Sequence, residues 1–262
     1  MTGEFIDTHC HLDYEPLSPA VEAVLARARE AGVTGMLTVG TTVERSRASI
    51  VLAQQYPMLR AAVGIHPNDS DEATDQALAE IDALAASDCV AAIGEIGLDF
   101  YRDHAAPERQ RQAFGAFLEI AHHRDLPVAI HCRDAYEELL RVLQAHRSSR
   151  LRGVIHCASG PPQFIEGALA LGFHISFSGT VTFPNAQATR ALVPLVPDGR
   201  LLIETDAPFL APQPARGRPN EPAYVVHTAA RLAEIRGTTV EAIGELTTRN
   251  ARTLFGFPSA SP

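Results

Sequence analysis

His9 and His11 stand one residue apart at the end of a short apolar run, a spacing that suits a metal site. Side chains alternate along an extended segment, so both imidazoles point to one side and Cys10 to the other. Two histidines at an exposed strand end would bind nothing, and the motif alone leaves these readings even. Four more ionisable residues shift the balance. Glu95, His131, His156 and Asp206 each close a short apolar run, in Ala-Ile-Gly-Glu, Val-Ala-Ile-His, Gly-Val-Ile-His and Leu-Leu-Ile-Glu-Thr-Asp. Imidazole and carboxylate together suit zinc, manganese or magnesium. Six ligands exceed what one open catalytic ion needs, so two divalent ions sharing a bridging carboxylate is the simpler partition. All 22 basic residues are arginine. Without lysine there is no Schiff base, P-loop lysine or carboxylated-lysine bridge, and Glu95 becomes the natural bridge.

Short apolar segments, each followed by an amphipathic one, must position these groups. Strands are expected at residues 4–8, 35–40, 59–65, 90–95, 128–132, 153–157, 173–178 and 201–205. They are rich in Val, Ile and Leu without polar alternation, as strands buried on both faces are. Helical spacing is expected at residues 19–31, 45–55, 74–86, 108–125, 135–146, 162–171 and 187–196, with a last helical region at 224–255 broken at Gly237. Eight strands each followed by a helix predict an α/β fold, a single-domain TIM (β/α)8 barrel over residues 1–257 with an extra C-terminal helical region. A doubly wound open sheet is the alternative. In a barrel the six candidate ligands converge on the mouth formed by the carboxyl ends of the strands. The Pro-rich stretch 211–222 is long for a strand-to-helix loop, and residues 258–262 are expected to fray.

The chain has 262 residues, 46% hydrophobic and 20% charged, an ordinary globular balance. No apolar stretch is long enough to cross a bilayer, and Glu4 and Asp7 lie where a signal peptide would be basic, so a cytoplasmic location is expected. Of the four cysteines, Cys10, Cys132 and Cys157 follow histidines and Cys89 does not. None forms a C-x-x-C pair, and they read as core-filling thiols facing away from the site. A net charge of −9 excludes a broad basic face for duplex nucleic acid.

The motifs Asp-Thr-His-Cys-His-Leu-Asp, Gly-Glu-Ile-Gly-Leu-Asp-Phe-Tyr-Arg, Ile-His-Cys-Arg-Asp-Ala, Ile-His-Cys-Ala-Ser-Gly, Ser-Phe-Ser-Gly-Thr-Val-Thr-Phe and Glu-Thr-Asp-Ala-Pro-Phe-Leu-Ala-Pro resemble those of the TatD family of metal-dependent hydrolases. The resemblance runs through nearly the whole chain. It implies a barrel of the amidohydrolase superfamily, typically a divalent-metal deoxyribonuclease, with ligands at His9, His11, Glu95, His131, His156 and Asp206. Ala158 and Asn68 depart from the residues common in the family, Phe and His respectively.

The expected activity is hydrolysis of DNA phosphodiester bonds through a metal-bound hydroxide, by 3'-5' exonuclease action on single-stranded ends, with no membrane and no obligate protein partner. His9, His11 and Asp206 would hold one ion, His131 and His156 the other, and Glu95 both. Asp206 would also act as the base. Asp7 and Glu204 would orient ligands from behind. His66, Arg133, Arg102, Arg216, Asn220 and Glu221, with Arg218 beside them, are candidates for holding substrate. His104, His122, His123, His146, His174 and His227 read as structural. Two alternatives stand beside this reading: a hydrolase of a small amide, lactone or phosphoester on the same barrel, and a metal-binding module without turnover.

Overall fold

The computed structural model describes residues 3–258; the tail residues 259–262 lie outside them. Eight parallel strands alternate with helices in the order β1 Phe5–Cys10, α1 Val21–Glu30, β2 Val33–Val39, α2 Val43–Gln55, β3 Leu59–Val63, α3 Asp75–Leu84, β4 Val90–Asp99, α4 Pro107–Arg124, β5 Val128–Arg133, α5 Tyr136–Ala145, β6 Gly153–Ile155, α6 Pro162–Ala170, β7 His174–Phe177, α7 Gln187–Leu192, β8 Leu201–Ile203, α8 Val225–Arg236 and α9 Val240–Phe255. The strands pair in sequence order, which makes the fold a TIM barrel. β8 meets β1 through a parallel bridge, Cys10 to Ala207. Beyond it the Asp206 N–H donates to the His9 carbonyl (2.8 Å) and the His11 N–H to the Ala207 carbonyl (2.7 Å). The seam is thus closed by the residues that carry three of the expected ligands.

Local chemistry explains the helix starts and stops. Thr42, Thr74 and Thr239 accept, through their hydroxyls, backbone N–H groups of the first turns of α2, α3 and α9. α8 stops at Gly237, whose φ of 63° favours glycine. Ser18 and Pro19 open a separate 3-10 turn rather than α1 itself.

Inside the barrel, Ile6, Leu37, Val39, Ala62, Ala92, Ala129, Val154 and Leu202 form one apolar cluster with Ala251, Leu254, Phe255 and Phe257. α9 and the residues after it therefore plug the base of the barrel. The strand residues of opposite parity pack outward under the helices.

Strict alternation fails on both β1 and β4. Phe5 and Cys10, five positions apart, both pack in the outer layer, where alternation would place them on opposite faces. A register shift between Asp7 and Cys10 accounts for this. β4 shifts likewise between Ile93 and Ile96, which both face outward. Glu95 lies within that shift. β4 also runs to Asp99, well past the end expected at residue 95, whereas β6 and β8 stop at Ile155 and Ile203. His156 and Asp206 therefore stand on the turns just after their strands.

Candidate metal centre

At the carboxyl ends of the strands these turns surround a cavity of about 900 Å3. Glu95, 4% exposed, lies at its centre. Its Oε2 faces the β1 pair, 3.5 Å from His9 Nε2 and 3.8 Å from His11 Nε2. Its Oε1 faces the other side, 3.0 Å from His131 Nδ1 and 2.9 Å from His156 Nε2. Asp206 Oδ1 completes the β1 side, 3.4 Å from His11 Nε2 and 3.8 Å from His9 Nε2. The six expected ligands are therefore brought together in two sets that share one carboxylate. Gly97, with φ 139°, permits this close packing of β4 on β5: a Cβ there would lie 2.0 Å from the His131 carbonyl oxygen.

The rings are oriented from behind, and differently in the two sets. His131 Nε2 meets Asp99 Oδ2 at 3.0 Å, and His156 Nδ1 meets Glu204 Oε1 at 3.2 Å. A carboxylate on the far nitrogen places the proton there and leaves the near lone pair for an ion. His11 Nδ1 donates instead to the Val39 carbonyl at 2.9 Å, and His9 Nδ1 is buried without a partner. Asp99, a residue of the fourth-strand motif, was not anticipated as a partner. A carboxylate four residues beyond Glu95, where His131 required one, was the available signal. Asp7 acts on backbone rather than on a ring: it accepts the N–H groups of His9 (3.3 Å) and Thr205 (2.9 Å). Burial pushes its carboxyl up to about 8 despite the bonds from Thr205.

Burial also opposes the charge on Glu95, but His156 and His9 beside it hold its carboxyl well below the usual range. Asp206 is lowered in the same way by His11, His9 and His156 against its burial. His156, also buried, is raised well above the ordinary imidazole value by Glu95 and Glu204. Among the described residues, only histidines pair with Glu95 and Asp206. Buried carboxylates that keep their charge, faced by nitrogen donors and by no arginine, make a donor set that fits divalent cations. Three groups of ligand atoms close enough to share an ion occur here: His9, His11 and Asp206; His9, Glu95 and His156; and His66, Glu95 and His131.

The remaining candidates divide. His66 lies 3.5 Å from Glu95 Oε1 and accepts the Asn68 N–H on Nδ1 (3.1 Å), which leaves its proton on Nε2. Burial lowers it to about 4, so the ring is neutral. Arg102 and Arg133 line the rim, Arg133 with its guanidinium carbon 3.6 Å above the Tyr101 ring. Four residues, Arg218 among them, do not reach the cavity. Arg216 stacks on Phe183 at 4.5 Å, and Glu221 pairs with Arg27 of α1 at 2.5 Å. Asn220 is fully buried and donates to the Thr205 and Phe209 carbonyls at 2.8 and 2.6 Å. It holds the loop after β8 in shape. His104, expected to be structural, lines the cavity, as do Cys132, Cys157 and the unanticipated Tyr14, Tyr101 and Phe209. Cys157 escapes strand alternation because β6 has already ended, and burial raises its thiol to about 12, outside nucleophilic range.

Comparison with known proteins shows the family. The family model described as TatD related DNase matches residues 6–256. The chain is 37% identical over 249 residues to the uncharacterized metal-dependent hydrolase YabD of Bacillus subtilis, covering 95% of this chain and 98% of that one. It is 40% identical over 240 residues to the 3'-5' ssDNA/RNA exonuclease TatD of Pectobacterium carotovorum, covering 89% and 92%. The crystal structure of YJJV, a TatD homologue from Escherichia coli, superposes with a TM-score of 0.93 at 36% identity, covering 98% of this chain and all of that one.

Proposed function

The chain belongs to the TatD-related DNase family of metal-dependent hydrolases, and from that premise we propose that it is an exonuclease trimming single-stranded DNA or RNA from the 3' end with two divalent ions bridged by Glu95. One observation carries the two-ion reading: the two oxygens of Glu95 face different histidine pairs, Oε2 toward His9 and His11 and Oε1 toward His131 and His156. Bound in those two sets, divalent ions would supply Lewis-acid stabilisation of charge and a water of lowered pKa.

The chain's own groups do the rest. Asp206 stays ionised at neutral pH because His11, His9 and His156 outweigh its burial. Its Oδ1 stands at the mouth, and it takes the proton from the attacking water. His66, neutral and with its proton on Nε2, donates to a phosphate oxygen on the Glu95 side of the cavity. Asp99 and Glu204 fix the tautomers of His131 and His156. Arg133 and Arg102 at the rim attract the phosphate backbone, a local positive edge on a chain of net charge −9. That charge disfavours wrapping a duplex and suits engagement of one strand end. No described helix is long and apolar enough to cross a membrane, and the reading includes a cytoplasmic location.

The test is digestion of end-labelled single-stranded DNA, single-stranded RNA and duplex with Mg2+, Mn2+ or Zn2+ and with chelator. A metal-dependent ladder that shortens single strands from the 3' end is expected. Equal cutting of closed circles, or metal uptake without cleavage of any nucleic acid, would overturn the reading.

A further inference from the structure

Three large hydrophobic side chains are exposed among the described residues: Val51 (59%), Tyr101 (58%) and Phe209 (46%). Val51 lies on α2, away from the centre, whereas Tyr101 and Phe209 both line the cavity that holds Glu95 and Asp206. Exposed aromatic rings on the rim of an otherwise polar site mark a binding surface rather than core.

Each ring is tied to a different half of the metal centre. The Phe209 N–H donates to the Asp206 carbonyl at 2.8 Å, and buried Asn220 holds the Phe209 carbonyl at 2.6 Å. The ring itself rests edge-on against Tyr14 (5.7 Å between centroids) and His11 (5.9 Å). The Tyr101 N–H donates to Asp99 Oδ1 at 3.0 Å, the carboxylate whose other oxygen orients His131. Arg133 covers one face of Tyr101, and Arg102 stands 5.9 Å from the same ring. One aromatic is thus anchored to the Asp206 set and the other to the His131 set, with the shared carboxylate between them.

We propose that Tyr101 and Phe209 are base-stacking platforms that receive the two nucleobases on either side of the scissile phosphate, so that the site reads a dinucleotide step rather than an isolated phosphodiester. Every base offers a π-face, so stacking grips a single strand without sequence preference, and a paired duplex end denies both faces at once. Arg133, fixed on Tyr101, sets a positive charge beside the adjoining phosphate. Asn220 and Asp99 act as positioning residues for the two rings. The inference rests on the nuclease reading above, and adds to it what the substrate's bases do.

Two readouts test it. Phosphorothioate oligonucleotides that resist hydrolysis, carrying 2-aminopurine at the last or next-to-last position, report stacking through quenched fluorescence. Paired kinetics compare an intact single strand with strands abasic at those positions. In the unaltered protein both labels are quenched, and each abasic replacement lowers kcat/KM about tenfold, within the range for one base on one aromatic ring. Phe209→Ala should lose the quench and the abasic penalty at one of the two positions, and Tyr101→Ala at the other. Val51→Ala, equally exposed but remote, should match the unaltered protein. Single strands cut at rates that ignore base removal, or equal abasic penalties in both variants and the unaltered protein, would overturn the stacking while leaving the nuclease intact. Failure to cut or bind any single strand would remove both.

Discussion

Two levels of the same barrel, two residues apart along the same strands, are built for opposite ends. On β5 the inward residue Ala129 is followed by His131; on β6, Val154 by His156; on β8, Leu202 by Glu204 and then Asp206. The lower level packs Ile6, Leu37, Val39 and Leu202 against Leu254, Phe255 and Phe257 of the C-terminal region, and burial of that surface stabilises the fold. The upper level gathers carboxylates and imidazoles that are kept from water, an arrangement of small net stabilising value but suited to cations. One strand therefore serves stability at its lower residue and chemistry at its upper one, and substitutions at the two levels should separate accordingly.

The largest separation is expected at Asp206. Asp206→Asn should lower the rate of phosphodiester hydrolysis about 1,000-fold, as loss of a positioned base does, with the fold intact by circular dichroism; a loss below tenfold would assign the proton transfer elsewhere. Leu202→Ala, on the same strand, should do the reverse. It is expected to lower stability in urea by about 2–5 kcal/mol through the cavity it leaves, with kcat/KM of the folded protein unchanged. A still smaller effect belongs to the partners behind the ligands. Asp99→Asn and Glu204→Gln should each weaken metal binding about 10- to 100-fold in equilibrium dialysis, and should do so mainly for the ion between His131 and His156, because His11 is backed by the Val39 carbonyl instead.

The smallest effect concerns His174 at the start of β7, in the lower half of the barrel. Burial, with Arg200 nearby, lowers its imidazole to about 4 from an ordinary value of 6.5. Between those values the unfolded chain binds a proton that the folded chain refuses. Stability from this group is therefore complete above about pH 6.5 and is lost as pH falls toward 4. Melting curves of His174→Leu should lack that part of the decline; an identical decline would show that another group causes it.

The barrel was legible because its eight strands are continuous apolar runs and its helices carry stripes, and both signals survive without knowledge of contacts. The clustering of the six candidate ligands was legible because each closes such a run, and the end of a parallel strand is the mouth of a barrel. Legibility stopped where the backbone departs from regular geometry. Alternation gave the right side for His9, His11 and Cys10, although the strand reaches it only through a register shift after Asp7. The same rule misplaced Cys157, which lies beyond its strand. Arg216, Asn220 and Glu221 share one long loop, and composition does not say which residues of a loop face inward. Asn220 turned out to be buried under the Phe209 carbonyl and Glu221 to be paired with α1. Tyr101 and Phe209 escaped attention because an aromatic residue in a sequence reads as core until its exposure is known.

The central claim is that Glu95 joins two ion sites. Metal content of the purified protein, dialysed against limiting free Mn2+ or Zn2+ and measured by plasma mass spectrometry beside Glu95→Gln, tests it most directly. Two ions per chain in the unaltered protein and loss of both from tight binding in the variant are predicted. One ion per chain, retained by Glu95→Gln with unchanged affinity, would contradict the account.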